Sequence, residues 1–154
     1  MKVGLDRINA HVDYVGFDSG ANIMELEGVH APLNGDDKHI IPKLCWVDAS
    51  KPFDIDRTFD AVLSKEVGEH IPKMEERAFM DNLIKLANPH GGRIILTWGY
   101  PRQGGNGHVN CQLKSYIIEE MEKHGVIFDE ISTKWLGRRI ANAYAENLMI
   151  FFKP

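Results

Sequence analysis

Short apolar runs alternate with stretches of helical period along this chain. VDYVGF (Val12–Phe17) is β-branched and aromatic and ends in Asp18-Ser19-Gly20, a turn signal, so it predicts a strand. Leu44–Val47 predicts a second strand, ending at Asp48 and broken by Ser50-Lys51-Pro52. Phe59–Leu63, Arg93–Trp98, Val126–Ile131 and Leu148–Phe152 predict four more. Between the third and fourth, Met74, Ala78, Phe79, Leu83, Ile84, Leu86 and Ala87 recur at helical spacing. Pro72 opens that helix, where its missing N–H costs nothing, and Pro89-His90-Gly91-Gly92 closes it. Leu113, Ile117, Ile118 and Met121 mark another helix, closed by His124-Gly125. Weaker signals place a helix tail at Asp6–Ala10, one helical turn at Asn22–Leu26 and a loop at Pro32–Asp37. Strands alternating with helices predict one domain with an α/β sheet. RIILTW, nearly all apolar, predicts a parallel strand covered on both faces.

Chemistry concentrates where the third strand ends. In FDAVLSKEVGEHIP (Phe59–Pro72) a buried strand gives way at Ser64 to two carboxylates and an imidazole. Glu66 and Glu69 are three apart, and Glu66 and His70 are four apart, so one helical turn would place all three on one face. Such a set suits a divalent cation such as Mg2+, Mn2+ or Zn2+, with His108 as a further ligand. The alternatives are His70 as a general base and plain helix capping by these residues. Open α/β sheets bind ligands outside the carboxyl ends of their strands, which is where this cluster falls. A glycine-rich loop, GYPRQGGNGHVN (Gly99–Asn110), follows the fourth strand and offers Arg102, Gln103 and His108 as substrate contacts. Trp98 and Tyr100 are candidates for stacking on a substrate ring, with core packing as the alternative for Trp98. Arg138-Arg139 is a small basic spot that reads as solvated surface.

Composition narrows the class. The 154 residues suffice for one domain with a core, and 44% hydrophobic with 26% charged residues is ordinary for a globular protein. A net charge of −4 argues against a general nucleic-acid-binding surface without excluding nucleic acid as a substrate. Cys45 and Cys111 lack paired spacing and read as free thiols of a reducing compartment, so the expectation is a cytoplasmic protein. No apolar run approaches the ~20 residues of a membrane span, and Met1–Ala10 has no apolar signal region.

FDAVLSKEVGEHIP resembles the fourth motif of class I S-adenosylmethionine-dependent methyltransferases, with its EV.EH pattern, and NLIKLANPHGGRIILTW resembles the helix, glycine turn and strand that follow it there. The resemblance covers Val12 to the C-terminus. It implies a Rossmann-like fold, mostly parallel with an antiparallel last strand inserted between its neighbours. It implies S-adenosylmethionine as cofactor and methyl transfer as activity; the acidic net charge and the short chain make a small molecule the expected acceptor, ahead of nucleic acid. By the same resemblance Asp18 and Ser19 would meet the ribose, and Asp48 and Ala49 the adenine. Ser64, Lys65 and Glu66 would lie beside the methionine part, with Glu66 and His70 catalytic and Trp98, Gln103 and His108 on the substrate side. E-x-x-E-H also resembles metal-dependent methyltransferases, which implies Glu66, Glu69, His70 and His108 around a cation that holds substrate hydroxyls.

In the family's strand order, 3-2-1-4-5-7-6, VDYVGF corresponds to strand 2, and nothing before Val12 is long and apolar enough for strand 1 or its glycine-rich loop. Strand 1 is therefore lacking or shortened. The expected resolutions are direct pairing of strands 2 and 4, a strand from another chain, or a truncated gene, and an open sheet edge would favour a homodimer. The missing glycine loop keeps a second function in play, a degenerate methyltransferase fold that binds a partner without catalysis. A nicotinamide oxidoreductase would need G-x-G-x-x-G after its first strand, and the chain has none.

Overall fold

The structure is a computed structural model that describes residues 15–18, 43–140 and 142–154. The helical segments expected at Asp6–Ala10 and Asn22–Leu26 and the loop at Pro32–Asp37 lie outside the described residues. The chain divides into two compact units, Met1–Asp48 and Ala49–Pro154. In the first, β1 (Val15–Asp18) pairs in parallel with β2 (Lys43–Trp46), from Val15 opposite Lys43 to Asp18 opposite Trp46.

The second unit holds a four-stranded sheet of order β3-β4-β6-β5. Its strands are β3 (Ala61–Ser64), β4 (Arg93–Leu96), β5 (Ile127–Phe128) and β6 (Met149–Phe152). β3 and β4 are parallel, and β6 runs antiparallel between β4 and β5. That arrangement reproduces the 4-5-7-6 part of the order implied by the resemblance, including the inverted last strand. Within this unit β3 pairs with β4 along its whole length, from Ala61 opposite Arg93 to Ser64 opposite Leu96.

The pleat decides which residues are buried. Val62, Ile94 and Phe151 stand opposite one another, as do Ser64, Leu96 and Met149, and all six lie on one face and are buried. Helices α1 (Glu76–Leu86) and α2 (Lys114–Lys123) bury Phe79, Met80, Leu83, Leu86, Ile117 and Met121 in the same core. On the other face Ile150 of β6 is buried, while Ala61, Leu63 and Arg93 are exposed. The expected burial of Ala61 and Leu63, and the expected two-sided cover of β4, are therefore corrected: α3 (Glu130–Gly137) packs on β6, and among the described residues nothing comparable covers β3 on that face.

Val126–Ile131 is also shorter than expected, two residues of strand rather than six. Asp129 ends it. Its Oδ1 accepts the Ser132 N–H at 2.9 Å, which caps α3, and its Oδ2 accepts from Arg93 Nη1 at 2.8 Å. Hydrogen bonds from Ser132, side chain first and then backbone, and the Arg93 guanidinium hold the Asp129 carboxyl below its ordinary value of 3.8, against the opposing effect of burial. A carboxylate depressed by folding contributes stability above its unfolded pKa and loses it as pH falls through the folded one. Asp129→Ala is therefore expected to cost about 1 kcal/mol at neutral pH, with the gap to the parent closing as urea unfolding is repeated at pH values falling below 3.8.

Candidate active site

β3 and β4 end at the same edge of the sheet, where Ser64 stands opposite Leu96 and the Thr97 N–H donates to the Ser64 carbonyl at 3.0 Å. Ser64 is buried, and its Oγ has no hydrogen-bond partner among the described residues. Lys65 is exposed, with Nζ 4.1 Å from the centroid of the Tyr144 ring. Glu66 then adopts φ +53°, left-handed backbone that costs a residue with a Cβ roughly 1–2 kcal/mol. Thr97 stabilises it from both sides: its Oγ1 accepts the Glu66 N–H at 2.9 Å and donates to Glu66 Oε1 at 2.8 Å.

This reversal breaks the helical continuity that the spacing implied. Glu66 precedes the 3-10 turn Gly68–His70 instead of sharing a face with Glu69 and His70, and its Oε2 accepts from Gln103 Nε2 at 3.4 Å. Gln103 in turn accepts at Oε1 from the Tyr100 N–H at 3.1 Å and Asn147 Nδ2 at 3.2 Å, so it fastens the glycine loop to the strand ends.

The short turn sends Glu69 inward. Glu69 is 0% exposed, and neither carboxylate oxygen has a hydrogen-bond partner among the described residues. A buried carboxylate without a partner is costly, so its surroundings matter. The Glu69 carbonyl accepts from the N–H groups of Val109 and Asn110, both at 2.9 Å, which brings the far end of the glycine loop against the turn. His70 faces outward. Its Nδ1 lies 3.1 Å from the Gly107 carbonyl, which can only accept, so Nδ1 carries a hydrogen, and in the neutral ring the lone pair is on Nε2. His108 meets it edge to face, ring centroids 4.9 Å apart at 90°. A Cβ at Gly105 would collide with the His108 imidazole, so the loop needs glycine there for close approach. One ligand atom each from Glu69, His70 and His108 lies within 4.8 Å of the others. Cys111 adjoins them, its Sγ 3.7 Å from His108 Nδ1, and burial followed by the charge of Glu69 pushes its thiol up.

Of the four residues expected around a cation, the fold thus gathers Glu69, His70 and His108, while the Glu66 carboxylate is engaged by Thr97 and Gln103. Trp98, expected at the substrate, is 2% exposed; it packs edge-on against Phe79 and its Nε1 donates to the Asn110 carbonyl at 2.7 Å. Asp18 ends β1; its side chain and all of Ser19 lie outside the described residues. Asp48 and Ala49 follow β2 and are half-buried, and the Ala49 carbonyl accepts from Asn82 Nδ2 at 3.0 Å. Sequence reasoning missed Thr97, Cys111 and Asn147. The one available signal was a polar Thr97 closing an otherwise apolar strand run.

No family model and no curated protein sequence matches the chain. Solved structures match it in shape. A protein assigned as a methyltransferase from Bacillus halodurans C-125 superimposes with a TM-score of 0.63 at 16% identity, over 93% of this chain and 84% of that one. Magnesium protoporphyrin IX methyltransferase (ChlM) from Synechocystis PCC 6803 with bound SAH follows at 0.60 and 14%, over 93% of this chain and 65% of the other. This chain has the Rossmann-like methyltransferase fold. LepI in complex with SAM carries the same fold, with a TM-score of 0.62 at 10% identity over 98% of this chain, which spans 38% of LepI's length. In this chain the cluster just described lies beyond the carboxyl end of β3, where EVGEH (Glu66–His70) follows the strand.

Proposed function

We propose that this chain is a methyltransferase that moves the methyl group of S-adenosylmethionine to a small-molecule acceptor. The observation that carries the reading is the carboxyl end of β3. There a methyltransferase fold presents a buried Ser64 hydroxyl, without a partner among the described residues, beside a Glu66 held in left-handed backbone. Buried polar atoms without partners and a strained residue at a strand end are what a ligand site leaves when it is built for a ligand. When bound, the cofactor supplies a methyl group already activated by its sulfonium, so the chain's residues have only to bind, align and exclude water.

Ser64, Lys65 and Glu66 serve the methionine part of the cofactor. Glu66 Oε2, held among the described residues by the long bond from Gln103 alone, is the oxygen available to a donor on the cofactor or acceptor. Gln103 and His108 line the acceptor side. The lone pair on His70 Nε2 has two uses, proton acceptor and cation ligand. The Glu69 carboxylate, without a partner among the described residues, favours the second, with Glu69, His70 and His108 holding a divalent cation. The net charge of −4 favours a small molecule over a nucleic acid.

Calorimetric titration with S-adenosylmethionine, with and without a divalent cation, tests this. Micromolar binding is expected, weakened about tenfold in Glu66→Gln, a loss of ~1.4 kcal/mol. Absence of heat at millimolar cofactor under both conditions would sink the reading in favour of a binding module that keeps the fold alone.

A further inference from the structure

On the helices of this chain exposed lysines find carboxylates: Lys123 pairs with Glu119 and Glu120, and Lys134 with Glu130. Lys114, half-buried at the start of α2, does not. Its Nζ donates to the Glu146 carbonyl at 3.3 Å, and among the described residues no carboxylate pairs with it, the exposed carboxylate of Glu146 included. An ammonium has three donors, so two are left without a partner among the described residues. Burial pushes Lys114 below the ordinary lysine value of 10.5, with no opposing charge to offset the lost water.

We propose that Lys114 anchors the acceptor, and that the acceptor carries an anionic group, a carboxylate or a phosphate. The inference rests on the methyltransferase reading and adds the class of acceptor.

A short series of contacts places this ammonium on the acceptor side. Glu146, whose carbonyl it touches, directly precedes Asn147, and Asn147 Nδ2 donates to Gln103 Oε1 at 3.2 Å. Gln103 Nε2 donates to Glu66 Oε2 at 3.4 Å. Gln112, two residues before Lys114, donates its N–H to the Gly99 carbonyl at 2.9 Å, which ties the start of α2 to the chain just beyond β4. Two more cations border the same segment. Lys65 Nζ lies 4.1 Å from the ring of Tyr144, two residues before Glu146, and Arg102, at φ +74°, directly precedes Gln103. Neither has a carboxylate partner among the described residues. Positive charge thus gathers unpaired at this edge of a chain whose net charge is −4. Under the methyltransferase reading Lys65 serves the methionine part of the cofactor, which leaves Lys114 to the acceptor. A neutral acceptor would leave a half-buried ammonium with one carbonyl. An anion restores what burial took away, through a charge-assisted bond roughly twice as strong as a neutral one.

Phenyl phosphate, benzoate and neutral benzyl alcohol are the probes, each titrated calorimetrically into the purified chain at low salt. At least one anion is expected to bind at about millimolar concentration, and benzyl alcohol about tenfold more weakly. The tighter of the two anions names the acceptor's group. Lys114→Met keeps the apolar stem without the charge and is expected to weaken that anion about tenfold. Lys114→Arg is expected to restore most of the affinity, and Lys134→Met to leave it unchanged. Equal binding of the three probes, or anion binding that survives Lys114→Met, would overturn the anchor. So would silence of both anions at about ten times the expected concentration. The comparison with benzyl alcohol needs no variant, so it decides the matter even where a substitution unfolds the chain. If S-adenosylmethionine binds and the anions do not, this inference falls alone. If the anions bind through Lys114 and S-adenosylmethionine does not, the acceptor role falls together with the methyltransferase reading.

Discussion

Gly68→Ala is expected to destabilise the chain by about 3 kcal/mol, the upper end of what one added methyl costs in a packed core. Gly68 opens the turn that carries Glu69 and His70, and a Cβ there would lie well inside contact distance of Cε3, Cζ3 and Cδ2 of Trp98. The indole cannot step aside. It is 2% exposed, packs against Phe79, and is tied through Nε1 to the Asn110 carbonyl. Turn and ring are both fixed, so the added methyl either moves the turn or breaks the Trp98–Asn110 bond. Urea unfolding at constant slope reads the loss as a lower midpoint. Trp98→Leu removes the ring atoms that the methyl meets, so Gly68→Ala with Trp98→Leu is expected to lose clearly less than the sum of the two single changes. Strict additivity would mean that the clash is absent.

That turn also shows which parts of the site the sequence could express. The strands were legible because each is a short β-branched run bounded by turn residues, and the glycine turn before RIILTW set the register of β3 against β4. The end of the fifth strand was drawn too far because Ile131 is apolar, yet it is 84% exposed. Asp129 three residues before Ser132 was the readable signal for a helix cap there. Leu63 misled in the same way: an apolar residue in a strand is buried only if the sheet face it points to is covered, and the sequence of one strand does not report its cover.

Inside the site the limits were of a different kind. Helical spacing puts Glu66, Glu69 and His70 on one face only if the chain is helical from Glu66 onward. A positive φ at a glutamate depends on Thr97, 31 positions away, which no local pattern reveals. Cys111 carried no spacing motif, and its place beside His108 and Glu69 comes from two backbone bonds that fold the loop onto the Glu69 carbonyl. What spacing did find was the group of residue types, EVGEH and a histidine in a glycine loop. The fold then gathered three of the four expected ligands and turned the fourth, Glu66, to Thr97 and Gln103.

Glu76→Ala is expected to cost about 3 kcal/mol as well, through donors left buried and unpaired at roughly 1–3 kcal/mol each. Glu76 is 5% exposed at the start of α1 and accepts from three side chains: Lys73 Nζ at 2.8 Å, Tyr116 OH at 2.6 Å and Asn110 Nδ2 at 2.7 Å. Lys73 also bonds the Tyr116 hydroxyl. Burial pulls the Lys73 ammonium down, but its bonds to Glu76 and Tyr116 outweigh that and hold it above its ordinary value. Of the three donors Asn110 suffers most, since it is 3% exposed, whereas the Lys73 side chain is 54% exposed and can turn to water. Asn110 also joins the parts of the site. Its N–H reaches the Glu69 carbonyl, its carbonyl takes the Trp98 indole, and it lies between His108 and Cys111 in sequence. Releasing its side chain therefore loosens the end of the glycine loop that carries His108. If Glu69, His70 and His108 hold a cation as proposed, Glu76→Ala is expected to weaken Co2+ binding about tenfold although Glu76 touches none of the three. Glu76→Gln, which still offers an oxygen to Asn110, is expected to recover most of that affinity. Equal losses of affinity in the two variants would place the effect in the charge of Glu76 rather than in its hold on Asn110.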